Sequence, residues 1–151
     1  MKIRITFISC LIFLACNKDS GGSSKADYEQ NLTAGNSKKW VLEEIEVGST
    51  KVTDCRIGDI YEYKDDRNLI IDVVDSLCDP RIVDPTRYSY GKWDFFSNND
   101  SVKWIFSPVE THYKIINLTN DVFEIRTDVS VTDTLGNFLG IQPFTQTFRA
   151  Y

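Results

Sequence analysis

From Lys39 to the C-terminus, short runs rich in Val, Ile, Thr, Tyr, Phe and Trp alternate with clusters of Asp, Asn, Gly, Ser and Pro. This spacing is the mark of antiparallel β-structure. The runs predict strands over 39–47, 59–64, 69–75, 87–96, 101–106, 112–118, 122–132 and 143–150. Most connectors are of hairpin length, which makes neighbours in sequence neighbours in the sheet. The period of two is cleanest near the end. Phe123, Ile125, Val129 and Val131 share one parity and Glu124, Arg126, Asp128 and Ser130 the other, so that strand has one wet face. Phe144 and Phe148 alternate with Thr145, Thr147 and Arg149 in the same way.

Two runs change phase. In the first, Trp40 and Leu42 lie on one parity and Ile45 and Val47 on the other; in the fourth, Tyr88 and Tyr90 give way to Trp93 and Phe95 across Gly91. Both switches predict β-bulges, and strands bent in this way curl a sheet toward a barrel. Ahead of the first strand, Ser24 and Asp27 form a weak capping pattern, Tyr28 and Leu32 lie four apart, and Gly35 is placed as a stop. A short helix or a coil fits this stretch.

The N-terminus follows another pattern. Lys2 and Arg4 precede an apolar run, Ile5 to Leu14, too short to span a bilayer and of the length of a signal-peptide core. It ends in Phe13-Leu14-Ala15-Cys16, which resembles a bacterial lipoprotein signal peptide, although the strictest motif has Ala, Ser or Thr where Leu14 stands. The resemblance implies diacylglycerol on the Cys16 thiol and cleavage just before it. The chain then divides into a signal peptide (1–15), an acylated cysteine with a flexible tether (16–30) and one β-barrel domain (31–151). Asn17-Lys18-Asp19 resembles the short signals that route some Gram-negative lipoproteins outward. That implies a lipid anchor in the outer membrane and exposure at the cell surface, with the periplasmic face as the alternative.

Processing changes the charge. Without residues 1–15 the chain loses two cations and no acid, moving its formal charge from −5 to −7. An acidic body argues against nucleic acid as a partner and against an anionic membrane surface; the membrane is reached through the lipid. Cys10 leaves with the signal and Cys16 carries the lipid, so Cys55 and Cys78 remain. In an exported domain a disulfide between them is the default, worth about 3 kcal/mol in the chain-entropy account.

Little points to catalysis. His112 is the only histidine and opens a predicted strand beside Tyr113 and Lys114, with no glycine-rich elbow in the chain. Asp65, Asp66, Asp72, Asp75, Asp79 and Asp84 lie mostly in turns, where Asp bonds its own backbone. No Asp-x-Asp-x-Asp-Gly loop occurs. The expectation is a protein without enzyme activity, metal or cofactor.

Trp40, Cys55, Asp65-Asp66, Cys78-Asp79 and Gly91-Lys92-Trp93 follow one another in an order that resembles the lipocalin-like domains of Gram-negative outer-membrane lipoproteins. The resemblance covers residues 32–151; Lys38 stands where such domains often have glycine. It implies an all-β, eight-stranded antiparallel up-and-down barrel. The candidate ligand-lining rings are Trp40, Tyr90, Trp93, Trp104, Phe123 and Phe148, with Phe106 and Phe144 beside them. A barrel of this size either fills with side chains or holds one small ligand, and the sequence leaves both open. An open cup predicts a small apolar or amphipathic ligand. A filled barrel predicts a module that docks a protein, such as an outer-membrane transporter or a hydrolase to be inhibited. Asp75-Ser76-Leu77, Asp100-Ser101-Val102 and Asp133-Thr134-Leu135 also resemble the acceptor segments of a bacterial O-glycosylation system.

Overall fold

A computed structural model of the chain describes residues 25–74 and 88–151. One helix, α1 (Lys25–Thr33), precedes β1 (Ser37–Val47), β2 (Thr50–Lys51), β3 (Ile60–Lys64), β4 (Asn68–Asp72), β5 (Tyr88–Phe96), β6 (Ser101–Phe106), β7 (Val109–Leu118), β8 (Val122–Thr132) and β9 (Phe138–Ala150). Apart from β2, each strand pairs antiparallel with the next, and β9 returns to β1. Eight strands thus close the expected up-and-down barrel. The extra strand β2 only doubles back on the end of β1, pairing Thr50 with Val47 and Lys51 with Glu46. Two residues are too few to leave a hydrophobic period in the sequence.

The helix forms in the stretch that equally fitted a coil. It ends where Ala34 (φ 52°) and Gly35 (φ 77°) turn left-handed, a conformation glycine takes without steric cost. So short a helix is marginal in water; docking on the barrel holds it. Leu32 is fully buried, Tyr28 meets Phe95 edge-on at 6.3 Å, and the Trp40 indole N–H donates to the Leu32 carbonyl at 3.0 Å. At the same end lie the β3–β4 turn, the turn at 97–99 and the β7–β8 turn. We call this end the base, and the end with the β6–β7 and β8–β9 hairpins the mouth.

The base is packed solid. Phe123 stacks on Phe148 at 5.5 Å and reaches Trp40 at 5.6 Å and Tyr63 at 5.7 Å. Tyr63 in turn meets Trp93 edge-on at 5.6 Å, the offset geometry that ring quadrupoles favour. Arg67 closes the side, with its guanidinium 4.5 Å from the Trp93 ring and Nη2 bonded to Glu29 of α1 at 3.0 Å.

One phase switch is a bulge and the other is not. Between Leu42 and Glu44 the β1–β9 register shifts, so Trp40, Leu42 and Ile45 are all buried. Across Gly91 there is no shift: β5 runs in continuous register with β4 and β6. Tyr88 and Tyr90 therefore stay on the outer face, against the expected bulge, while Trp93 and Phe95 turn inward. Gly91 answers a different need. A Cβ there would lie 2.6 Å from the Phe106 ring and 2.9 Å from the Ile105 carbonyl, so only glycine lets that ring settle.

Cys55 lies in the connector between β2 and β3. Cys78 lies outside the described residues, as do Asp75, Asp79, Asp84, Ser76 and Leu77 and the signal and tether positions through Ser24, including Cys16.

Candidate functional site

The β5–β6 ladder ends with Lys92 opposite Ile105. Beyond that pair, toward the mouth, a cleft of about 620 Å³ opens between the start of β5 and the β6–β7 hairpin, within the size range of small-molecule sites. Tyr88, Ser89 and Tyr90 form one wall; Phe106, Ser107, Pro108 and Val109 form the other; Trp104, Thr111 and Tyr113 lie between them. Trp104 is 4% exposed, and its ring lies 4.4 Å from Tyr113 and 5.3 Å from Tyr61. It belongs to the inward face, directly opposite Thr111 on β7. On the rim, the Tyr88 and Tyr90 rings are 6.4 Å apart and tilted by 41°. Among the described residues, none that lines the cleft carries a formal charge.

Of the six candidate rings, Tyr90 and Trp104 line this cleft. Trp40, Trp93, Phe123 and Phe148 are instead sealed in the core, at most 1% exposed. Phe106 also lines the cleft; Phe144 is half-buried, with Arg56 over its ring at 5.7 Å. Sequence reasoning missed Tyr88, Val109 and Tyr113. Counting strict alternation back from Trp93 places Tyr90 and Tyr88 on the outer face, and the Ser107-Pro108 turn marks the hairpin that faces them. His112 is exposed and bonds Glu110 at 2.5 Å. Among the described residues no group of three or more His, Cys, Asp or Glu is placed to hold a metal. Of the two described glycosylation-like segments, Ser101 is buried and donates to Asp100, whereas Thr134 sits in an exposed turn.

No protein-family model matches the chain, and comparisons with curated proteins and with solved structures find no match. The site must be read from its own chemistry.

One ion pair near the mouth is closely bonded. Arg56 grips Asp54 through Nε at 2.8 Å and Nη2 at 2.7 Å. This bidentate pair holds the Asp54 carboxyl below its usual range and raises the guanidinium. Burial, with Tyr61 adding to it, pushes the Tyr63 hydroxyl well above an ordinary phenol.

A second apolar surface lies beside the cleft. The β7–β8 ladder ends at Lys114 opposite Arg126, and β1–β9 pairing ends at Val47 opposite Phe144. Past these pairs β8 and β9 continue as a two-stranded arm to Thr132 opposite Phe138. Leu135, Phe138, Leu139 and Ile141 on the arm are 63–85% exposed.

Proposed function

We propose that the protein is a lipid-anchored lipoprotein of the outer membrane, acylated at Cys16, whose lipocalin-like barrel binds a small apolar or amphipathic molecule at its mouth. The observation that carries the binding reading is the ring-lined cleft over Trp104, whose described lining residues carry no formal charge. Concave, mainly apolar sites with a few placed polar groups are where small ligands bind. The filled base supports a rigid frame rather than a deep cup, so the ligand sits at the mouth. The anchor is supported by the N-terminal pattern of cations, apolar run and cysteine. A Cys55–Cys78 bridge belongs to the same reading, as the default for two cysteines in an exported domain.

Titration of the full chain with a fatty acid, retinol and an alkyl glycoside tests the site through indole fluorescence. At least one should give a saturable change that survives Trp40→Phe and Trp93→Phe and disappears in Trp104→Phe, because only Trp104 borders the cleft. No saturable change with any of them sinks the ligand reading. The anchor has its own test: Cys16→Ala should abolish palmitate labelling, and persistent labelling removes it.

The exposed arm favours a second reading, a non-enzymatic interaction module that docks an outer-membrane protein. A two-stranded ribbon with open edges and large apolar side chains is suited to pairing with another chain. Leu139→Lys with Ile141→Lys should then abolish capture of that protein while leaving cleft titrations unchanged.

A further inference from the structure

We infer that the mouth cleft takes a neutral carbohydrate, the sugar part of an amphipathic ligand, bound by stacking of sugar rings on Tyr88 and Tyr90 and by hydrogen bonds to hydroxyls along the cleft. The inference rests on reading the cleft as a ligand site and names the ligand's chemistry. The first argument is charge. With no ionised side chain among the described lining residues, a carboxylate or ammonium in the cleft would gain no ion partner there in return for the hydration it gives up. Arg56, in the connector between β2 and β3, is already held by Asp54 through two hydrogen bonds.

The second argument is the distribution of rings and hydroxyls. A lipid chain is best served by an enclosed apolar pocket that removes most of its surface from water. Here the rim rings remain 46% and 69% exposed and the cleft stands open along one side, so much of a bound hydrocarbon would stay wet. A pyranose ring has the complementary build. One C–H face lies flat on an aromatic ring, and its equatorial hydroxyls either face water or reach polar groups. Tyrosine suits this use, because it offers a rigid apolar face with a hydroxyl at its tip and has few rotors to immobilise. Ser89, Ser107 and Thr111 add hydroxyls that both donate and accept.

The test uses the full acylated chain in lipid nanodiscs, with empty nanodiscs as the blank. It is titrated with neutral oligosaccharides of glucose, mannose, galactose and N-acetylglucosamine and, separately, with oleate. The inference expects saturable heat and Trp104 fluorescence changes with at least one oligosaccharide. Tyr90→Ala and Tyr88→Ala should each weaken that binding by about tenfold or more, with an unchanged circular dichroism spectrum, because both side chains lie outside the core. Tyr90→Phe, which keeps the ring, should stay within about twofold. Saturable oleate binding with no response to any oligosaccharide up to about 10 mM overturns the carbohydrate assignment and leaves the ligand site standing. No response to either overturns both. Sugar binding that is indifferent to both alanine substitutions places it elsewhere and overturns this assignment.

Discussion

At the base, Trp40, Tyr63, Trp93, Phe123 and Phe148 are at most 1% exposed; at the mouth, Tyr88, Tyr90, Val109, Phe138 and Ile141 keep 46–69% of their surface in water. Both ends present large apolar side chains from the strands of one sheet. The difference lies in closure. At the base α1 lies across the strand ends, with Leu32 buried and its carbonyl taken by the Trp40 indole. Toward the mouth the β5–β6 and β7–β8 ladders stop and, among the described residues, no helix covers the gap. A large ring becomes core or contact surface according to whether neighbouring backbone closes over it. The base therefore carries the stability and the mouth is free to carry recognition.

The largest expected effect tests the base. Trp40→Ala removes a sealed ring and its hydrogen bond, and should cost about 3–5 kcal/mol in urea unfolding; a loss under about 1 kcal/mol breaks the comparison. Next is alkali. Burial raises the Tyr63 pKa, so its contribution to stability is intact below the unfolded phenol value of about 10 and is lost as pH rises through the raised folded value. Tyr63→Phe should move the alkaline unfolding midpoint upward, and an unmoved midpoint contradicts the assignment.

A smaller effect is expected on the acid side, near the mouth. Asp54 has a depressed pKa because Arg56 bonds its carboxylate. Its contribution is present above the unfolded carboxylate value of about 3.9 and falls away as pH drops through the lowered folded value. Asp54→Asn should flatten the stability profile in that acid window and leave it unchanged near neutrality in shape, as followed by thermal melts at successive pH values. The smallest stability effect belongs to Tyr90→Ala, within about 0.5 kcal/mol of the parent although a full ring is removed. A loss comparable to that of Trp40→Ala would erase the distinction between the two ends.

Much of the barrel was legible from local pattern. Alternation placed Phe123, Ile125 and Phe148 inward, and all three are fully buried. The phase change between Leu42 and Ile45 marked a real bulge. At Gly91 the same reasoning failed, because a glycine between two apolar phases reads identically whether the strand bulges or a neighbouring ring needs the space. Only the position of Phe106, fifteen residues along the chain, separates the two cases. The cleft was less legible still. Its walls come from strands whose pairing ends partway, and the end of a ladder leaves no period in either strand.

By itself, then, the sequence determined an all-β barrel with hairpin connections, because a period of two, hairpin-length connectors and turn-forming residues are local properties that backbone geometry reads directly. Tertiary structure decided where the sheet opens into a cleft and which rings line it. That choice depends on whether distant segments meet: α1 over the base, Phe106 on Gly91, and the β6–β7 hairpin facing Tyr88 and Tyr90 across the cleft. Burial is a property of what surrounds a side chain, and for a ring on a strand end most of that surrounding comes from elsewhere in the chain.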